Sequence, residues 1–264
     1  MDYKALCEAT IQIAREAGSY IYSRIDQILP GDIETKGMHN FVTEVDKEAE
    51  IMIVSKLKEL VPGAGFIAEE GTSPHKGETF NWVIDPLDGT TNFIHGAPPV
   101  AVSIALTENN IPVVGVIFEI WLKEVFYAWK DSKAFLNGKE IRVSKTNDIR
   151  ESLIATGFPY HNFDRIRGYM ESIDYFFNNT HGVRRLGSAA TDLAYVACGR
   201  FDGFYEYNLS PWDVAAGALI VTQAGGTVTD FRGGDNYLFG REIVAGNPDI
   251  FEGFLYDVGR FMNQ

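Results

Sequence analysis

The sequence predicts an α+β chain in two closely packed lobes, with helices on a largely antiparallel sheet over residues 1–146 and an alternating α/β lobe over 147–264. Three observations lead there. Amphipathic helical patterns open the chain, short β-branched and aromatic runs follow from Phe66, and strand and helix patterns alternate from Leu153 onward. At 264 residues the chain sits near the size at which a single core stops growing efficiently. No repeat, low-complexity tract or loose linker separates the halves, so an extensive interface between them is expected across the join near Ser144–Glu151.

Taken in order, residues 3–25 place Leu6, Ala9, Ile13, Ala17, Tyr20 and Ile21 at helical spacing. A second helix is predicted from about Val45 to Leu60, stopped by Pro62-Gly63. Strands are expected at Phe66–Ala68, Trp82–Ile84, Val100–Leu106, Val113–Phe118 and Val125–Trp129. Asn137-Gly138, between Ala134-Phe135 and Ile141–Val143, signals a type I′ hairpin. The second half reads as strand Leu153–Thr156, a helix near Arg165–Phe177, strand Val183–Leu186, helix Ser188–Cys198, strand Phe204–Tyr207 and helix Asp213–Ala224. Strands Thr227–Asp230 and Ile243–Ala245 and a closing helix from Pro248 complete it.

Composition narrows the function. With 45% hydrophobic and 22% charged residues the chain is folded and globular rather than disordered. A net charge of −13 argues against a nucleic-acid partner, because phosphate neutralisation needs a basic stripe and the nearest thing to one is Arg184-Arg185. So acidic a protein repels phosphorylated ligands unless cations invert the local field. Cys7 and Cys198, each in an apolar helical pattern, read as buried free thiols of a reducing compartment. The N-terminus has no signal-peptide pattern and the longest apolar runs are too short to span a membrane, so a cytoplasmic protein without a membrane partner is expected.

The most informative segment is WVIDPLDGTTNF, residues 82–93. An apolar strand runs into Asp85 and Asp88, Gly89 permits close backbone approach, and Thr90-Thr91 place hydroxyls and N–H groups at a predicted helix start, where a divalent ion and a phosphate could both sit. A proline turn with an aspartate cap accounts for an isolated pattern of this kind. A magnesium site needs a few converging carboxylates, and further candidates end or begin other elements: Glu69 and Glu70 after a short strand, and Asp213 in SPWDVAAG. Taken singly these have plainer readings, a solvated turn for the glutamates and a carboxylate on a helix dipole for Asp213. Thr43-Glu44-Val45-Asp46 reads first as a near capping box, which leaves open whether Asp46 also faces the site. The five histidines, His39, His75, His95, His161 and His181, form no triad or HExxH pattern and read as loop or surface residues.

Taken together, DPLDGTTNF, WDVAAGALIVTQAGG at residues 212–226 and the upstream FIAEEG, in that order, resemble the inositol monophosphatase family of magnesium-dependent, lithium-sensitive phosphatases over nearly the whole chain. The resemblance implies an αβαβα layered sugar-phosphatase fold and, as a rule, a homodimer. It implies a phosphomonoesterase that hydrolyses a small polyol or sugar phosphate with a metal-activated water and up to three Mg2+ ions. By motif position the metal ligands would be Glu69, Asp85, the carbonyl of Leu87, Asp88 and Asp213. Glu69 and Thr90 would orient and deprotonate the water, with Asp46 assisting through Thr90. Substrate contacts would come from Asp88, Gly89, Thr90, Ala189, Glu206 and Asp213, with Gly89 and Thr90 N–H groups on the phosphate. Residues 158–180 carry no pattern that aligns with the family.

Other readings remain open at this stage. The two residues between Asp85 and Asp88 break the DxDxT spacing of an aspartyl-phosphate phosphatase. Within the fold, fructose 1,6-bisphosphatase, NADP phosphatase or nucleotide phosphatase activity competes, since RRLGSA supplies arginines for a second phosphate. A regulatory binding protein with demoted catalysis is the reading from a different class.

Overall fold

A computed structural model describes residues 1–25, 27, 33–37, 40–73, 75–159 and 163–263, with backbone alone for 33–37 and 40–43. The elements in chain order are α1 (Tyr3–Arg24), β1 (Ile33–Gly37), β2 (Asn40–Thr43), α2 (Glu44–Leu60), β3 (Gly65–Ala68), β4 (Phe80–Asp88) and α3 (Thr90–Ile94). Then come β5 (Ala101–Glu108), β6 (Ile111–Glu119), β7 (Glu124–Trp129), β8 (Ala134–Leu136), β9 (Lys139–Ile141) and β10 (Leu153–Thr156). The rest are α4 (Ile166–Asn179), β11 (Gly182–Arg184), α5 (Ala189–Ala197), β12 (Gly203–Tyr207), α6 (Pro211–Gln223), β13 (Thr227–Thr229), β14 (Glu242–Gly246) and α7 (Pro248–Met262).

Two sheets organise the chain. The first runs β3-β4-β5-β6-β7-β8-β9, antiparallel throughout except for the parallel β3–β4 pair. The second runs β11-β10-β12-β14-β13, with β11, β10 and β12 parallel and β14 antiparallel to both its neighbours. Helices α1 and α2 cover one face of the first sheet, α5 and α6 lie between the sheets, and α4 and α7 cover the far face of the second. This is the αβαβα layering that the resemblance implied.

Position in the layers explains the helix sequences. α7 meets solvent on one side and keeps an apolar stripe of Ile250, Phe251, Phe254 and Val258. α6 is enclosed by both sheets, so Val214 through Val221 are buried with no polar face at all. The Asn137-Gly138 hairpin forms as predicted, both residues taking the positive φ (48° and 84°) that a type I′ turn requires.

Several boundaries shift. The second hairpin strand is Lys139–Ile141 rather than Ile141–Val143, β11 is Gly182–Arg184 where Val183–Leu186 was expected, and α6 begins at Pro211 rather than Asp213. Pro211 is favoured at a first helical position because its missing N–H would have no helical partner there. The β1–β2 hairpin had not been predicted. Cys7 is buried, but Cys198 caps α5 and is only half-buried; both are free thiols. His75, His95 and His181 are exposed as expected, while His39, His161 and the side chain of Thr43 lie outside the described residues. Among the described residues no helix is long and apolar enough to cross a membrane.

Candidate active site

β4 ends in a bulge. Asp85 pairs with Ser103 and Asp88 with Ala101, so three steps along β4 match two along β5. On a regular strand residues three apart point to opposite faces; one extra residue brings them back to the same face. Asp85 and Asp88 consequently line one pocket. Pro86 tolerates the bulge because it has no N–H to lose from the ladder. Inside the bulge the Leu87 N–H donates to Asp85 Oδ1 at 3.0 Å.

Glu69 follows β3 directly, and its N–H continues the pairing by donating to Ile84 O at 3.2 Å. That places it beside Asp85, across the parallel β3–β4 pair. Asp213 is the third residue of α6, where its Oδ2 accepts the Ser210 N–H at 2.6 Å. Asp88 Oδ2 accepts from Ser188 Oγ at 2.6 Å and from the Ala190 N–H at 2.8 Å, which ties β4 to the start of α5. Glu69, Asp85, Leu87, Asp88, Gly89, Thr90, Ala189, Glu206 and Asp213 all border the same pocket. Asp46 sits behind it, 1% exposed, and accepts from Thr90 Oγ1 at 3.2 Å. The Leu87 carbonyl is also 3.2 Å from Thr90 Oγ1.

Gly89 takes φ of 97°, and a Cβ there would come within 2.9 Å of Pro99 O. Only glycine fits such a corner. Asn92 of α3 closes it, donating through Nδ2 to Pro99 O and Leu186 O, both at 2.9 Å.

The electrostatics follow from burial. Loss of water pushes the Asp85 carboxyl well above the usual range, with further upward push from Glu69, Asp88 and Asp213. Burial raises Asp88 to about 6, against the pull of the Ser188, Ala190 and Ala189 hydrogen bonds. Asp213 rises to about 7 through burial and then repulsion from Asp88. Glu206, 6% exposed, is likewise raised by burial and by Asp213. Among the described residues no three His, Cys, Asp or Glu side chains are already gathered closely enough to hold an ion by themselves. Magnesium needs no such cluster, since it binds through one or two carboxylates and keeps several waters. An all-oxygen donor set whose members resist ionising together fits a hard divalent cation.

Sequence reasoning singled out neither Gly157 nor Tyr207–Ser210 and Trp212 as wall residues, and it named the segment from Phe158 as wall without placing Phe158 and Pro159 in it individually. The available signal was topological, because ligands gather at the carboxyl ends of parallel strands, and these segments follow β10 and β12 as Glu69 follows β3. Arg185, weighed from the sequence as half of a short basic pair and as a second-phosphate contact, lines the pocket with its guanidinium over the Phe158 ring. Asp192 on α5 was not singled out. It is 1% exposed with one oxygen lacking a hydrogen-bond partner, and its carboxyl is raised by burial and by Glu206 and Asp88.

Comparisons with known proteins agree on the family, while the relatives carry different names. A model of the inositol monophosphatase family matches residues 2–260. The Nus factor SuhB of Escherichia coli is 42% identical over 246 residues, 93% of this chain and 92% of that protein. The crystal structure of extragenic suppressor protein suhB from Bartonella henselae superposes with a TM-score of 0.89 at 38% identity, covering 96% of this chain and 98% of that one. Inositol monophosphatase from Anabaena (Nostoc) sp. superposes at 0.87 and 33% identity, covering 98% and 97%.

Proposed function

The chain belongs to the inositol monophosphatase family, and from that premise we propose that it is a Mg2+-dependent phosphomonoesterase acting on inositol monophosphate or a similar polyol phosphate. The observation that carries the reading is the convergence of Glu69, Asp85, Asp88 and Asp213 on one pocket from three separate chain segments. In this reading residues 1–146 form a lobe carrying Glu69, Asp85, Leu87 and Asp88, and residues 147–264 a lobe carrying Asp213, Ala189 and Glu206.

Glu69, Asp85, the Leu87 carbonyl, Asp88 and Asp213 would hold the ions, up to three. When bound, these would acidify water and neutralise charge on the phosphoryl and leaving-group oxygens. The protein's own groups do the rest. Thr90 directs its hydroxyl proton to Asp46, so its oxygen accepts from the attacking water, and Glu69 takes the proton that the water gives up. The Gly89 and Thr90 N–H groups hold the phosphate. Asp88, Asp213 and the Ala189 backbone meet the substrate beside it, and Glu206 accepts from a hydroxyl of the polyol. No protein nucleophile takes part. A homodimer in the cytoplasm belongs to the same reading.

A bisphosphate or nucleotide substrate is less favoured. Arg185, the one cation lining the pocket among the described residues, is already engaged by Phe158 and faces Asp88, Asp192 and Glu206. A second reading, a Nus-factor role with demoted catalysis, is favoured by the name of the 42% identical relative.

Phosphate release from inositol 1-phosphate, fructose 1,6-bisphosphate, NADP and 3′-phosphoadenosine 5′-phosphate, with and without Mg2+, separates these readings. Expected is Mg2+-dependent turnover highest on inositol 1-phosphate and abolished in Asp85→Asn, which keeps an oxygen for the Leu87 N–H. Preference for another ester would keep the chemistry and overturn the substrate. No turnover on any of them by folded protein would favour the Nus-factor reading.

A further inference from the structure

Glu50 lies one helical turn beyond Asp46 on α2 and is fully buried. It accepts three hydrogen bonds from the segment after β3: Oε2 takes the Glu70 N–H at 2.7 Å, and Oε1 takes both the Thr72 N–H and the Thr72 hydroxyl at 2.7 Å. Residues four apart on a helix share a face. Asp46 and Glu50 therefore look the same way, one toward Thr90 and the other toward the peptide that carries Glu69.

A buried carboxylate is an expensive cap for a surface loop, because its desolvation must be offset by the donors it gathers. Its distinction is having acceptor capacity on both oxygens and donor character on neither. With both oxygens engaged, the 69–72 backbone is anchored to α2 at two points on either side of Gly71. The Glu69 N–H is held separately by Ile84 of β4. Glu69 is thus fixed from two directions, by the strand bearing Asp85 and by the helix bearing Asp46.

We propose that Glu50 is a positioning residue that sets Glu69 against Asp85 and, together with Asp46, makes α2 a single rigid mount for Glu69 and Thr90. The inference rests on the roles given to those two residues under the proposed function. Glu50 itself touches neither substrate nor ion. It acts as a supporting shell whose loss loosens the ligand in front of it.

The test is Mg2+ titration by calorimetry into wild type, Glu50→Gln and Thr72→Val, beside kcat and KM for inositol 1-phosphate at saturating Mg2+. Glutamine keeps the volume, but whichever way its amide turns, an NH2 group faces one of the two backbone N–H donors. Glu50→Gln is expected to weaken Mg2+ binding about tenfold or more and to lower kcat similarly, with KM little changed. Thr72→Val removes only the hydroxyl donor and should weaken Mg2+ binding in the same direction by about threefold.

A Glu50→Gln protein that melts earlier yet binds Mg2+ and turns over as wild type does would overturn the inference, leaving Glu50 a purely structural anchor. Should that variant fail to fold, Thr72→Val decides: weakened Mg2+ binding supports the proposal and unchanged binding overturns it. Wild-type protein that takes up no Mg2+ would overturn the reading of the site itself, an outcome distinct from equal binding by wild type and variant.

Discussion

Glu206 shows how one missing side-chain atom shapes a pocket. It stands on β12 with its carboxyl packed onto Gly157, where a Cβ would lie 2.1 Å from the carboxyl carbon and from both oxygens. No rotamer adjustment of a few tenths of an ångström absorbs that overlap, so Gly157→Ala must push Glu206 out of its place. Under the proposed function Glu206 accepts from a polyol hydroxyl, and a hydrogen bond to a charged group contributes about 1.5–3 kcal/mol. Gly157→Ala is therefore expected to raise KM for inositol 1-phosphate by about tenfold or more. Turnover of p-nitrophenyl phosphate, which has no such hydroxyl, should be spared. Measuring both substrates on the one variant separates the cases: equal losses would mean that Gly157 supports the fold of the site rather than the reading of the polyol.

Elements are held in place by polar joints at their ends, and the start of α7 shows this away from the pocket. Asn247 is fully buried; its Oδ1 accepts the Asp249 and Ile250 N–H groups at 2.9 and 3.2 Å, and its Nδ2 donates to Ser144 Oγ at 2.7 Å. Ser144 in turn donates to Asp202, which accepts the Leu153 N–H at the start of β10. Asn247→Ala should cost about 1–2 kcal/mol as a lost helix cap, seen as a fall in Tm of about 2–4 °C per kcal/mol, with phosphate release at 25 °C unchanged. A loss of activity equal to the loss of stability would mean that this joint reaches the site. The helices and the Asn137-Gly138 hairpin were legible because period and turn chemistry are local properties. The bulge at Asp85–Asp88 was not, since a bulge exists only relative to a partner strand and nothing in DPLD names β5 as that partner. β1 and β2 escaped for a related reason: among the described residues they pair only with each other, and they carry polar residues such as Glu34, Lys36 and Asn40 in place of an apolar alternation. The start of α6 was readable in principle, because Pro211 behind Ser210 is a helix opening that the acidic reading of Asp213 overshadowed.

At the scale of the molecule the pocket sits where two parallel strand pairs of different sheets end, β3–β4 in one and β10–β12 in the other. Glu69, Asp85, Asp88 and Asp213 could be read from the sequence because each lies in a compact motif, whereas Glu206 came only by its position in the family resemblance. The walls of the pocket could not, since Gly157, Phe158, Tyr207 and Trp212 meet only once the two sheets have packed across α5 and α6. This placement has a thermodynamic consequence. Glu69, Asp85 and Asp88 come from the first sheet and Asp213 from the helix layer beneath the second, so an ion bound among them couples both halves, while burial and mutual repulsion act against the carboxylates when they face one another alone. Binding to the folded state alone stabilises it by about 2.7 kcal/mol at a free ion concentration a hundredfold above Kd. For a chain of this size that corresponds to a rise in Tm of about 5–11 °C. Scanning calorimetry with increasing Mg2+ should show that rise, EDTA should reverse it, and Asp213→Asn should flatten it. If wild type and Asp213→Asn respond alike, the ion is held elsewhere on this acidic protein and the carboxylates of the pocket do not join its two halves through a metal.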